Sequence, residues 1–173
     1  LVLAYGFNHA EPKRAFDEVT RLDSTCAMGY WGPALVLGPN INVPMVPEAA
    51  APAWDAAQKA LALRDKASPV EQMLIDAVAA RYAQTAPEDR APLDRAYADA
   101  MKAAVEQFPD DADVQVMYAE SLMDLMPWAY WTANGQASPE TPALLAALEK
   151  ALQLNPDHIG AIHYYIHATE ASP

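Results

Sequence analysis

Apolar residues recur along this chain at the spacing of amphipathic helices, and no useful length of it alternates with the period of two that marks a strand. In "PAWDAAQKALALR", Trp54, Ala57 and Leu61 fall on one helix face. In "SPVEQMLIDAVAARY", Ser68 and Glu71 have the spacing of a capping box at a helix start. The pattern predicts an all-α fold with helices near residues 1–6, 10–22, 26–37, 53–65, 69–84, 90–107, 112–125, 141–154 and 157–170.

Three segments repeat one pattern, in which a bulky residue is followed by a small residue and then by a helix stop. They read "AFDEVTRLDS", "ADAMKAAVEQFP" and "AALEKALQLNP". The pattern resembles the tetratricopeptide repeat, a helix pair of about 34 residues, whose second helix is matched by Leu144, Leu148, Ala151 and Pro156. The resemblance implies a right-handed superhelical array of antiparallel helix pairs. We expect residues 1–173 to form one such domain within a longer chain.

Long loops separate the two helices within several of these repeats. The segments 38–52, 85–92 and 126–140 all take this position. Equivalent loops of stacked repeats emerge on the same edge of the array. The loops are therefore predicted to gather along one rim, where their proline-rich segments would fold over a concave groove.

Charge and composition exclude some classes of partner. The net charge is −12 and the pI is about 4.5, so the chain has no basic patch for binding nucleic acid. No apolar run reaches the length of a transmembrane helix, and no membrane insertion is expected. Cys26 is the single cysteine, which excludes an internal disulfide.

A second resemblance covers most of the chain. The segments "YGFNHAEPKRAF", "CAMGYWGPALVLGPNIN", "YAESLMDLMPWAYW" and "HYYIHATEAS" are similar to a specific bacterial group of tetratricopeptide-repeat proteins. Members of this group are longer and are often predicted to be exported, and no activity is established for them. The resemblance implies the repeat fold and a periplasmic or extracytoplasmic location.

The candidate metal site is a histidine pair near the end of the chain. His163 and His167 stand four residues apart on a predicted helix, the spacing of zinc-binding pairs, although the glutamate of H-E-x-x-H is missing. Glu170 could add a carboxylate, and His9 is expected on the same rim, whereas His158 is expected at the surface. The pair could hold zinc or copper, act as a general base, or hydrogen-bond locally on a scaffold helix.

Candidate ligand contacts come from two loops and from the last helix. Trp128 and Trp131 could stack on a ring-bearing ligand or fill a gap between helices. Asn40 and Asn42 could orient a polar ligand or satisfy the backbone of a turn. Tyr164, between the two histidines, completes this set.

Two functions are consistent with these features. The first is a helical-repeat scaffold whose groove binds a protein, a peptide or a small ligand, an inference from fold-level analogy. The second is a metal-binding protein or metal-dependent enzyme that uses His163 and His167. No nucleophile elbow, phosphate loop or paired CxxC motif occurs, so a non-catalytic binding role is favoured over an enzyme.

Overall fold

The computed structural model describes residues 1–172, and this range is all-helical, as the hydrophobic pattern predicts. Its only β-type pairings are two isolated bridges, Asn40 with Val43 and Trp131 with Ala137. None of the helices in this range has the length and hydropathy needed to cross a membrane. The α-helices are α1 (Val2–Tyr5), α2 (Ala10–Leu22), α3 (Ala27–Val36), α4 (Pro47–Ala62), α5 (Pro69–Ala80), α6 (Ala91–Gln107), α7 (Ala112–Asp124), α8 (Thr141–Leu154) and α9 (Ile159–Thr169). The predicted domain also includes Pro173, which lies outside the described residues.

The start of α4 differs most from the prediction. The helix expected near residues 53–65 begins at Pro47, so the preceding loop is shorter than the proline-rich sequence suggested. Val46 is extended, and a proline at the first helical position has a suitable φ and needs no hydrogen-bond partner for its missing N–H. Pro52 lies inside α4. It is close to the helix start and removes only the backbone bond to Glu48.

The end of α5 also differs from the prediction. The helix expected near residues 69–84 ends at Ala80. The next residue, Arg81, turns its side chain into the protein against Asp124, and its carbonyl accepts a hydrogen bond from Arg90. At the other end of α5, the Glu71 carboxylate accepts from the Ser68 backbone N–H at 2.8 Å, which confirms the capping box.

Each helix from α2 to α8 packs against the next one along the chain. In addition, α3 packs against α5, and α7 packs against α9. Small residues permit close approach: Ala53, Ala57 and Ala60 of α4 are fully buried. The indole N–H of Trp31 donates to the Leu74 carbonyl at 3.0 Å, which ties α3 to α5.

The first helix, α1, packs against the last, α9. A Cβ on Gly160 would lie 2.7 Å from the Tyr5 ring, so this close contact requires glycine. The Tyr5 hydroxyl donates to Asp113 at the start of α7. Residues far apart in the sequence therefore meet at α9.

The long loops approach one another. Residues 39–45 and Pro127 line one cavity, so the first and third loops are neighbours. Residues 44–47 and 86–88 line another, so the first and second loops are neighbours as well. Arg90 contacts both cavities.

Candidate functional site

The two predicted metal ligands face each other on α9. His163 and His167 share a helix face because residues four apart lie one turn above another. Their Nε2 atoms are 3.0 Å apart and their ring centroids 4.7 Å apart. The His167 side chain is 21% exposed, so the pair can be reached from solvent.

The other ring nitrogen of each histidine is already hydrogen-bonded to an acceptor. His163 Nδ1 lies 2.6 Å from the Tyr5 carbonyl oxygen, which can only accept. His167 Nδ1 lies 3.0 Å from a carboxylate oxygen of Glu170. Both Nδ1 atoms therefore carry a proton, and two neutral rings would point their Nε2 lone pairs at each other. A cation between the Nε2 atoms, either a proton or a metal ion, removes this repulsion.

Two strained aromatic residues flank the pair. Phe7 has φ of 56° and Trp128 has φ of 62°, and they are the only non-glycine residues within 1–172 with positive φ. The Phe7 ring centroid is 5.0 Å from that of His163, and the Trp128 centroid is 5.1 Å from that of His167. Bulky residues rarely adopt this conformation, and such backbone strain concentrates at functional sites.

His9 does not join the pair. It lies 6.5 Å from the Phe7 ring, centroid to centroid, and lines a small internal cavity with Glu120 and Tyr164. Burial lowers the pKa of His9, and the Val36 backbone partly opposes this shift. Within residues 1–172, no group of three or more His, Cys, Asp and Glu side chains lies close enough to hold one metal ion. The predicted third ligand is thus not brought into the same set.

The predicted ligand contacts are spread over different environments. Asn40 is buried and its Oδ1 accepts from the Asn42 and Val43 N–H groups, so it satisfies a turn. The Trp131 indole donates to the Ala168 carbonyl at 2.7 Å, which fastens the third loop to α9. Tyr164 is 1% exposed. Trp128 is half exposed, and of these five residues it alone projects beside the histidine pair into solvent.

His158 is buried, at 9% exposure, contrary to the surface position expected from the sequence. Its Nδ1 caps α9 by accepting from the Ala161 N–H, and its Nε2 lies 3.1 Å from an Asp113 oxygen. The Tyr5 hydroxyl bonds to the same oxygen. Burial, followed by the Asp113 charge, raises the pKa of Tyr5 well above its ordinary value. This network fixes α1, α7 and α9 together behind the pair.

A buried charge cluster lies deeper and has no counterpart in the sequence prediction. The guanidinium of Arg81 bonds to Asp124, with side chains 1% and 3% exposed, and Glu120 stands one turn before Asp124. Burial raises the pKa of both carboxyls, and Arg81 opposes the shift in each case. Arg81 bonds directly to Asp124, whereas it acts on Glu120 only through its charge. In the sequence, the sign of this cluster is the pair of acids Glu120 and Asp124, which stand four residues apart on the mostly apolar helix α7.

Comparison with known proteins adds no relative: no protein-family model, curated protein or solved structure matches this chain.

Proposed function

We propose that this chain is a helical-repeat domain of the tetratricopeptide type that binds a transition-metal ion through His163 and His167. One observation carries the metal assignment: the two Nε2 atoms lie 3.0 Å apart while both Nδ1 atoms are held by acceptors. This arrangement leaves two lone pairs directed at one point.

The helix contacts support the repeat arrangement. Successive helices pack in sequence order, and helices two apart also pack, namely α3 with α5 and α7 with α9. In stacked helix pairs, the first helix of one repeat contacts the first helix of the next. The approach of the three long loops is also what insertions at equivalent positions would produce.

The distances within the pair suit metal coordination. Two nitrogens 3.0 Å apart can both lie about 2.0–2.1 Å from one ion, at an N–metal–N angle of roughly 90–97°. Metal-bound histidines usually donate their other N–H to a carbonyl or a carboxylate, as His163 does to Tyr5 and His167 does to Glu170. Imidazole nitrogen suits zinc and copper ions. An angle near 90° is closer to tetragonal copper(II) than to tetrahedral zinc.

Isothermal titration calorimetry of the tag-free protein with Cu²⁺ and with Zn²⁺ tests the metal assignment. We expect one ion per chain and at least a tenfold loss of affinity in both His163→Ala and His167→Ala. His9→Ala is the matched control, because it removes a histidine that lies outside the pair, and we expect it to bind as the parent protein does.

If only a proton joins the two rings, the same titration gives a different result. Neither metal then binds at a defined stoichiometry, or the affinity is unchanged in both histidine variants. Either outcome would overturn the metal assignment and leave the pair as a proton-linked contact within α9.

A second candidate function is peptide binding by the same array, favoured by an open cleft of about 480 Å³ between α2, α3 and α4. Tyr30, Pro33 and Pro52 contribute to its apolar surface, and Lys13 and Lys59 stand at its edge. Proteins of the proposed repeat type commonly serve as scaffolds, so this remains fold-level analogy. Selection from a random peptide display library tests it. Peptides that bind equally well to the Tyr30→Ala variant, or no enrichment at all, would count against this cleft.

A further inference from the structure

A separate cavity lies under the first long loop, away from the histidine pair. Its volume is about 320 Å³, within the range of small-molecule sites, and residues 39–45 form one wall. Asp124, Asp94 and Arg90 also line it and supply charged groups, together with Pro127. The cavity therefore combines the apolar side chains of this loop with two carboxylates and one guanidinium.

One of these carboxylates is buried with an unsatisfied oxygen. The Asp124 side chain is 3% exposed, and its Oδ2 accepts from Arg81. Its Oδ1 has no hydrogen-bond partner among residues 1–172. Buried carboxylate oxygens are rarely left unpaired in proteins, so the Asp124 side chain, whose residue lines the cavity, calls for a further donor.

The other charged groups leave acceptors in excess. Arg90 donates through Nε and Nη2 to Oδ1 of Asp94, which leaves Oδ2 of Asp94 for another donor. The remaining Arg90 hydrogen bonds go to the Arg81 carbonyl and to the Met45 sulfur. The guanidinium is thus held by the protein, and the polar side of the cavity offers mainly carboxylate oxygens to a ligand.

We propose that this cavity binds a small organic cation that carries a primary ammonium group on an apolar chain. The ammonium has three N–H donors, which match the free oxygens of Asp124 and Asp94. The apolar chain would lie against Ile41, Val43 and Met45. The net charge of −12 also raises the local concentration of cations around the protein.

The test compares n-butylammonium with 1-butanol, a neutral molecule of similar shape, by NMR titration of the intact chain labelled at its methionine methyl groups. We expect the Met45 methyl signal to shift and butylammonium to bind at least tenfold more tightly than butanol. Asp94→Asn should weaken butylammonium binding at least fivefold, and Asp99→Asn should not. Asp99 is the matched control because it is an exposed carboxylate on the same helix.

Three results would overturn the proposal. Equal affinity for butanol and butylammonium would make this an apolar cavity without cation recognition. Binding that is unchanged in both Asp94→Asn and Asp124→Asn would place the cation elsewhere, as would an unshifted Met45 signal. Asp124→Asn also disturbs Arg81, so the circular dichroism melting curve of Asp124→Asn is recorded. If Asp124→Asn does not fold, Asp94→Asn decides the outcome.

Discussion

At the scale of single residues, the hydrogen bonds on Nδ1 decide what the histidine pair can bind. Glu170 accepts from His167, and Tyr5 accepts from His163. These contacts fix the ring orientation and the position of each proton, which is the usual arrangement behind metal-bound imidazoles. The pair therefore depends on groups that need not touch the metal ion.

Replacement of Glu170 should weaken the proposed metal site without removing a histidine. We expect Glu170→Ala to lower the affinity for Cu²⁺ or Zn²⁺ by about 10–100-fold, because His167 loses its orienting acceptor. Glu170→Gln keeps an acceptor oxygen and should retain most of the affinity. Calorimetric titration measures both, with Glu149→Ala on α8 as the control. Unchanged binding by Glu170→Ala would show that His167 does not need this carboxylate.

Glu120 should make the stability of the protein depend on pH. Burial raises its pKa in the folded protein above the unfolded value of about 4.3, so the folded state binds the proton more tightly. The free energy of unfolding should therefore fall as pH rises from the unfolded pKa through the folded one. Glu120→Gln lacks this contribution, so its stability relative to the parent should increase over that interval. Urea unfolding from pH 4 to 8 measures the difference in free energy of unfolding between Glu120→Gln and the parent. A difference that does not change with pH would contradict the raised pKa of Glu120.

The ion pair between Arg81 and Asp124 should be costly to break and inexpensive to replace. We expect Arg81→Met to lower the free energy of unfolding by about 3–5 kcal/mol, because it leaves a buried carboxylate without its partner. The double variant Arg81→Met with Asp124→Leu should recover most of this loss. Arg95→Met is the control, since its partly exposed pair with Glu140 should contribute under about 1 kcal/mol. Urea unfolding measures these changes. Equal losses of unfolding free energy in Arg81→Met and Arg95→Met would refute the distinction between the buried and the exposed ion pair.

Residue spacing predicts the histidine pair but not its surroundings. His163 and His167 share a face in any α-helix, so their proximity follows from the sequence alone. The contacts of Phe7 and Tyr5 with this pair depend on how the first helix packs against the last. No local pattern encodes that packing. For the same reason, the sequence does not predict the burial of His158.

At the scale of helices, most boundaries follow from capping residues and apolar spacing. One exception is α4, which has two prolines near its start. Whether the helix continues through a proline depends on the position of that proline within the first turns. The end of α5 is set by Arg81, whose burial depends on Asp124 on another helix. Local signals thus give the helices, while tertiary contacts adjust their ends.

The contact between α1 and α9 should control the proposed metal site without touching the metal ion. We expect Gly160→Ala to displace the Tyr5 ring, because the added methyl group would lie 2.7 Å from it. His163 would then lose its carbonyl acceptor, and metal affinity should fall severalfold although both histidines remain. Ile162→Ala, at an exposed position on the same helix, is the control. Calorimetry that gives equal affinities for these two variants would contradict a role for this contact.

At the scale of the whole molecule, the sequence predicts an all-helical chain. The described residues are all-helical, and successive helices pack against each other. The same periodicity cannot predict which loops become neighbours. The cavity between residues 39–45 and Pro127 needs loops from separate parts of the chain, and the Asp124 carboxylate at its wall belongs to neither loop. The second proposed site is therefore a property of the assembled molecule.

The hydrogen bond from His163 to the Tyr5 carbonyl joins residues 158 positions apart, and it has a consequence for folding kinetics. Neighbouring helix pairs have low contact order and should form early, whereas the contact of α1 with α9 carries a large loop-closure entropy and should form late. The histidine pair would then reach its binding geometry only in the last step of folding. In a refolding experiment, metal capture should lag behind the recovery of helical circular dichroism, and the delay would time the docking of α1 on α9.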